Sequence, residues 1–454
     1  MFASLSSNTA TTDTPNSQSS LTEWLDYMQQ IHVSAIDMGL SRVLPVAEYL
    51  GVVQSAKDDA YVFTVAGTNG KGSTTAVISA MCQAAGYKTA LYQSPHLSCF
   101  NERVRINGDM VSDETLIAAF SKVEDARLQC ELTLSFFEMT TLAALLIFAE
   151  ADCDVWVLEV GLGGRLDVVN IIDPDMAVIT NIGIDHVDWL GDNVEAIGAE
   201  KAGILRDGIT LIYGDTEMPN SVQQLIKTHH ATCYQVGQNF SYHIEDTQIW
   251  QYSNAAVTLQ LPRPALSLIN TANALSAVLA SPLNVDISAI ENALQTVKLA
   301  GRFDARELAD RHWLFDVAHN EQGVNFLLAQ LVPLWQQHIS SQPDNQPNKK
   351  TGTIKMLFSM LGDKDIEMVV QSLSDPQLPI SNWFIAEIDH PRAATIEQLQ
   401  NALSAHVDPA HIQVFSDLQQ ATHTVIDNSQ PQDLIVVCGS FHTIGEALST
   451  LEAH

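Results

Sequence analysis

The chain has 454 residues, with 53 acidic against 22 basic side chains, a formal charge of −31 and 46% hydrophobic residues. The length predicts two or three domains with ample core. The acidity argues against nucleic acid and anionic membrane surfaces as partners, because both need a basic face, and no apolar run reaches the roughly 20 residues of a membrane helix.

Residues 1–20 are rich in Ser, Thr and Asn and lack a basic start and an apolar core. They are expected to form a disordered tail and not a secretory leader. From Leu21 onward helical and strand patterns alternate. Strands are predicted at Tyr61–Ala66, Thr89–Gln93, Asp154–Val160, Met176–Ile182 and Thr210–Tyr213, with helices such as Asp113–Leu128 and Glu138–Ala151 between them. Such alternation predicts a parallel sheet covered on both faces. Residues 232–262 read as a short antiparallel flap, and Asn270–Val297 as helical. A second series of strands is expected at Trp313–Val317, Lys355–Ser359, Trp383–Ile388, Ile412–Phe415 and Leu434–Val437, which puts a domain boundary near Ala300. The six cysteines (82, 99, 130, 153, 233 and 438) form no Cys-x-x-Cys pair, as expected of free thiols in a reducing cytoplasm.

The most informative run is Val65-Ala66-Gly67-Thr68-Asn69-Gly70-Lys71-Gly72-Ser73-Thr74, between the first predicted strand and a helix-period stretch. Strand, glycine loop and helix together cradle phosphate: backbone N–H groups and the helix N-terminus face the anion. Lys71 would reach the outer phosphates, and Ser73 or Thr74 a magnesium ion. The bland alternative is a glycine turn before a helix. The run departs from the common P-loop, since Val65 stands where that loop begins with glycine and Gly72 follows the lysine in place of Ser or Thr.

Further motifs follow the later strands: Gln93-Ser94-Pro95-His96-Leu97, Glu159-Val160-Gly161-Leu162-Gly163-Gly164-Arg165-Leu166-Asp167, Asn181-Ile182-Gly183-Ile184-Asp185-His186 and Glu200-Lys201-Ala202-Gly203-Ile204. The second half carries Gly301-Arg302-Phe303, Asp316-Val317-Ala318-His319-Asn320 and Gly439-Ser440-Phe441-His442-Thr443. The Gly161–Gly164 cluster is not a dinucleotide fingerprint, because Leu166 takes the place of the third glycine. Glu159 ends a strand, where ligand sites of α/β sheets gather, and Arg165 could fork onto a substrate carboxylate.

With the Gly-Thr-Asn-Gly-Lys-Gly-Ser loop, these segments resemble the folylpolyglutamate and dihydrofolate synthetases, relatives of the Mur ligases. The resemblance implies an α/β, Mur ligase-like fold: a P-loop N-terminal domain with a parallel sheet over residues 21–300 and a smaller, Rossmann-like α/β C-terminal domain over residues 301–454. It implies ATP as co-substrate, one or two Mg²⁺ ions, and L-glutamate, dihydropteroate and folates as small-molecule substrates of a cytoplasmic monomer. ATP would be held by Asn69, Gly70, Lys71, Gly72, Ser73, Asn270, Arg302 and Asp316, with His319 at the same pocket. Lys71, Lys201 and His319 would be catalytic, and Ser94, Glu159 and His186 would hold metal. Lys201 would be carbamylated to N6-carboxylysine. A pteroate pocket would be built from Ile36 and Asp37, from Ser135, Phe136, Phe137 and Glu138, and from Leu166, Asp167 and Val168. Read alone, His186 is as readily a turn residue, Lys201 a solvated charge, Asp316 a strand-end turn residue, His319 a cap, and the Phe136–Phe137 pair plain core. Four readings stay open: a bifunctional enzyme, one restricted to polyglutamylation, a Mur-type peptide ligase and a nucleotide switch.

Overall fold

The computed structural model describes residues 14–32, 39–246, 248–340, 352–374 and 377–452. Fourteen of its strands form two sheets. The first contains β1 (Tyr61–Ala66), β2 (Thr89–Tyr92), β3 (Val104–Ile106), β4 (Asp109–Met110), β5 (Val155–Glu159), β6 (Met176–Ile179), β7 (Thr210–Tyr213) and β8 (Thr232–Gln235), in the order β4-β3-β2-β5-β1-β6-β7-β8. All neighbours are parallel except at β3 and β4. β1 lies between β5 and β6, so successive connections leave it toward opposite edges, and a crevice opens beyond the strand ends there.

Side chains alternate across β1. Val62 and Ala66 pack with the helices Leu21–Gln30, Asp113–Gln129 and Phe136–Glu150, whereas Phe63 and Val65 pack with Lys71–Ala84, Leu268–Ala280 and Ile287–Thr296. Both faces are covered, so the central strands read as continuous apolar runs.

Four differences from the sequence expectation have local causes. The helix expected from Glu138 starts at Phe136, because a reciprocal cap precedes it: the Ser135 N–H donates to Glu138 Oε2 at 2.6 Å, and the Glu138 N–H to Ser135 Oγ at 3.4 Å. The β3–β4 hairpin was not expected. Its Asn107-Gly108 turn has φ of 50° and 80°, the left-handed pair that a tight hairpin needs. Residues 232–235 leave the flap to extend the main sheet beside β7, pinned where Gln235 Nε2 donates to the Asp215 and Thr216 carbonyls. The flap is then three strands, β9 (Phe240–Ile244), β10 (Ile249–Asn254) and β11 (Thr258–Pro262). The stretch Asn270–Val297 breaks into two helices at Ser281-Pro282, since proline cannot continue a helix.

The second sheet contains β12 (Asp304–Leu308), β13 (Arg311–Asp316), β14 (Ile354–Phe358), β15 (Ile380–Ile385), β16 (Ile412–Val414) and β17 (Leu434–Cys438), in the order β12-β13-β17-β14-β15-β16. Only β12 is antiparallel to its neighbour. Of the stretch expected to be a tail, residues 1–13 lie outside the described residues. Asn16 accepts from the Trp24 indole through its carbonyl, and Ser20 caps the first helix.

The two halves meet through the loops that follow their strands. Asn69 Nδ2 donates to Asn320 Oδ1 at 3.3 Å and to Gln322 Oε1 at 3.0 Å, and Lys364 Nζ lies 2.6 Å from Asp185 Oδ1.

Candidate active site

The glycine loop is held from outside. Asn181 Oδ1 accepts from the backbone N–H groups of Thr68 and Asn69 at 3.2 and 2.9 Å, and Thr180 Oγ1 donates to the Asn69 carbonyl. Two glycines are dictated by close approach. A Cβ on Gly67 would stand 1.8 Å from Thr180 Oγ1, and one on Gly70, at φ 85°, 2.2 Å from Asn270 Oδ1. Asn270 therefore lies directly on the loop. Beyond it the helix Lys71–Ala84 presents its N-terminal N–H groups to the cleft.

Two lysines converge on one carbonyl. Lys71 Nζ donates to the Gly67 oxygen at 3.0 Å, and Lys201 Nζ donates to the same oxygen at 2.9 Å. Burial lowers the Lys71 amine against the pull of Glu159. Burial, and then the Lys71 charge, push Lys201 down to about 7. Lys201 is 4% exposed and sits behind the loop.

A cavity of about 180 Å³ runs between the sheets. Asn69, Gly70, Lys71, Gly72 and Ser73 line it from the loop, with Asn270 beside them; Ser94, Glu159 and His186 from the strand ends; and Arg302, Asp316 and His319 from the far wall. Burial lifts the Glu159 carboxyl to about 7 despite Lys71 and Arg302, and its one hydrogen bond comes from the Ser94 N–H at 3.4 Å. His186 follows its strand in a left-handed conformation, φ 52°, and burial pushes its imidazole down to about 4. Arg302 lies over the Phe441 ring at 4.8 Å. Asp316 accepts from the Phe303 and Ala318 N–H groups at 2.8 and 2.9 Å, and His319 Nδ1 meets the Val317 carbonyl at 2.8 Å.

The segments expected to hold pteroate divide. Phe137 and Asp167 converge on Gly161, where a Cβ would stand 2.6 Å from Phe137 Cζ and 3.3 Å from Asp167 Oδ2. Gly161 itself lines the cavity. Asp167 accepts from the Leu162 and Val169 N–H groups at 2.9 and 3.0 Å, and burial raises its carboxyl to about 6. Phe136 packs edge-on to Phe100, Val168 is core, and Leu166 is half-buried. Ser135 and Glu138 are spent on the helix cap, and Glu138 also pairs with Arg42 at 2.6 Å. Ile36 and Asp37 lie outside the described residues. Arg165 is not a free fork: it pairs with Glu200 at 2.8 Å on the surface, because the loop packs on the end of that helix.

Sequence reasoning missed the hub at Asp185. Lys364 contacts it, while His319 and His186 each approach at 3.9 Å. Burial works to raise this carboxyl, but His319, His186 and Lys364 together hold it well below the usual carboxylate range. The residue stood in a quoted motif, but its partner is 179 positions away, and no local pattern carries that pairing. Among the described residues, no three His, Cys, Asp or Glu side chains surround a metal-sized space. The expected ligand set contains only two such groups, with a serine hydroxyl as the third.

Models of the Mur ligase middle domain and of the Mur ligase glutamate ligase domain match residues 65–281 and 301–441. The class is thus that of the Mur-type ligases, with one matched module on either side of the cleft. The dihydrofolate synthase/folylpolyglutamate synthase of Escherichia coli is 38% identical, over 97% of both chains, and that of Haemophilus influenzae 34% identical, over 96% of this chain and 98% of its own. The E. coli FolC structure in complex with DHPP and ADP superposes with a TM-score of 0.86 at 37% identity, covering 97% of this chain and 99% of that one. A Yersinia pestis bifunctional enzyme complexed with AMPPNP and Mn ion gives 0.85 at 36%, covering 97% and 100%. The chain belongs to the dihydrofolate synthase/folylpolyglutamate synthase family.

Proposed function

We propose that this enzyme uses ATP to join L-glutamate to 7,8-dihydropteroate, giving dihydrofolate, and to folates already bearing glutamate. The observation that carries the reading is the single cleft in which the glycine loop, Asn270, Glu159 and His186 face Arg302, Asp316 and His319.

A carboxylate is a poor electrophile, so ATP first converts it to an acyl phosphate; the glutamate amine then attacks the acyl carbon, phosphate leaves and an amide remains. Lys71 and the helix N-terminus stabilise charge on the transferred phosphoryl group. Arg302, at the junction of the two halves, engages phosphate when they close and exclude water. Asn270 and Asp316 hold the nucleotide, and His319 flanks the same pocket. Phe137 and Asp167 are the pteroate-side residues nearest the reacting carboxylate.

The side chains present fit a hard cation. Glu159 is a buried carboxylate short of hydrogen-bond partners, and His186 is neutral at physiological pH, as metal ligation requires. Ser94, Glu159 and His186 would hold Mg²⁺, which supplies charge neutralisation at the phosphates. Lys201, with its amine near 7, is a candidate for carbamylation: its lone pair adds to the carbon of CO₂, one proton is lost, and a carboxylate forms that could hold a second ion. No helix among the described residues is long and apolar enough to cross a membrane. The charge of −31 disfavours nucleic acid as a partner, and the reading is of a cytoplasmic monomer acting on small molecules.

ATP cleavage measured with dihydropteroate, a folate or a muramyl peptide, each with and without glutamate, tests the reading. Glutamate-dependent turnover is expected with the first two only. Turnover with folate alone would reduce the activity to polyglutamylation, and slow hydrolysis indifferent to every addition would leave a nucleotide switch.

A further inference from the structure

A second cavity, of about 270 Å³, adjoins the ATP cleft. The helix Lys71–Ala84, the β3–β4 hairpin and the connector at residues 296–302 line it. It therefore lies on the face of the first sheet opposite to Phe136 and Phe137. Gly72, Ser94, Glu159 and Arg302 line both cavities, so the two join at the reacting end.

Its lining carries three cations against two carboxylates, Glu102 and Glu159, in a chain with 53 acidic and 22 basic residues. Arg105, Lys298 and Arg302 line it, out of 22 basic residues in the chain. Arg105 donates to the Gly108 carbonyl at 3.1 Å, and among the described residues neither Arg105 nor Lys298 is ion-paired with a carboxylate. The Glu102 carboxylate on the same wall is already spent on the N–H groups of Leu97, Ser98 and Cys99 at 2.7–3.0 Å. Local cations held in a strongly acidic protein make an anion site.

We propose that this cavity takes the γ-linked glutamyl tail of folate substrates, with Arg105 and Lys298 on its α-carboxylates. The assignment rests on the folate-ligase reading. Each turn of polyglutamylation must return a new terminal γ-carboxylate to Lys71. The part already made must then occupy a space that joins the site, lies apart from the pteroate side, and tolerates one more α-carboxylate per residue. Dihydropteroate carries only its reacting carboxylate and does not call on this cavity.

The test uses Arg105→Gln, Lys298→Gln and the double variant. Each single change should raise KM for a folyl triglutamate about 3-fold, and the double about 10-fold, as expected of partly exposed charge pairs. KM for ATP, and kcat and KM for dihydropteroate, should stay within about 2-fold, and the triglutamate effect should shrink in high salt. Equal changes for dihydropteroate and triglutamate, or none for either, would overturn the assignment. Calorimetry of the ATP-analogue-loaded enzyme with a γ-linked triglutamate peptide lacking pteroate separates this proposal from the ligase reading. Binding by the parent and its loss in the double variant would support the cavity even if ligation were absent. No binding by the parent would overturn the cavity even if ligation were normal.

Discussion

The two walls of the cleft treat buried charge differently. On the first sheet, Lys71, Lys201, Glu159 and Asp167 are all displaced from their ordinary protonation by burial. Lys201 has one backbone carbonyl as partner, and Glu159 one distant N–H. On the second half burial likewise raises Asp316 and lowers Arg302. Asp316 takes two backbone N–H groups, as Asp167 does, and Lys364 is ion-paired. Outside the cleft, at the start of β14, the buried Lys355 meets two side-chain oxygens, from Ser381 and Asn382, at 2.9 Å each. A buried polar group without partners costs stability. That cost is sustained chiefly at Lys201 and Glu159, on the wall where metal and carboxylate would arrive to complete them, whereas Asp316 and Lys364 on the second wall already have partners that position them.

Lys71→Ala should break the first wall most severely. Removing a preorganised charge that acts on the transferred phosphoryl group should lower kcat by at least ~10²–10³. Circular dichroism should show the fold retained, since the loop is held by Asn181 and Thr180. Near-parent turnover would mean that the loop does not handle phosphate.

Glu159→Gln comes next, with a loss of about 10–100-fold at limiting Mg²⁺. The parent's Mg²⁺ requirement should fall as pH rises from 6 to 8, because the Glu159 carboxyl, near 7, must lose its proton before it can ligate. In the variant that pH dependence should flatten. An unchanged metal titration curve would remove Glu159 from the ligand set.

Lys364→Met probes the second wall. It leaves Asp185 with the His186 backbone N–H at 2.9 Å and the two histidine rings at 3.9 Å each. The expected cost is about 1–3 kcal/mol in urea unfolding, with a few-fold rise in KM for ATP and a smaller change in kcat. A loss of kcat as deep as that of Lys71→Ala would erase the distinction between the walls.

What the sequence made legible follows from where each interaction is encoded. Both parallel sheets could be read because central strands are continuous apolar runs, and the glycine loop because its signature spans ten residues, although Thr180, Asn181 and Asn270, which hold it, lie far away in the chain. The β3–β4 hairpin carried its signal in Asn107-Gly108, but its strands are only three and two residues long. The start of the Phe136 helix was written in Ser135 and Glu138, whose cap uses the same atoms that the family resemblance assigns to substrate. The Asp185–Lys364 pair and the convergence of Lys71 and Lys201 on the Gly67 carbonyl join residues far apart in the chain. Only the tertiary fold brings them together.

The smallest effect expected is on stability, at Lys201. In the unfolded chain a lysine titrates near 10.4; in the folded protein this one is near 7. Below pH 7 both states carry the proton, and the folded state bears the full cost of a buried ammonium beside Lys71. Between about 7 and 10.4 the unfolded state binds more protons, so stability rises with pH and the cost fades. Lys201→Met removes that cost and also the hydrogen bond to the Gly67 carbonyl, which offsets part of the gain. In bicarbonate-free buffer the variant should be more stable than the parent by about 1–2 kcal/mol at pH 6, and by little or nothing at pH 10. Bicarbonate at pH 8 should stabilise the parent and not the variant, because a carbamate places an anion beside Lys71. Urea unfolding at pH 6, 8 and 10 decides the matter: equal gains at every pH would show that burial of the Lys201 charge carries no cost, and the contrast between the walls would rest on Glu159 alone.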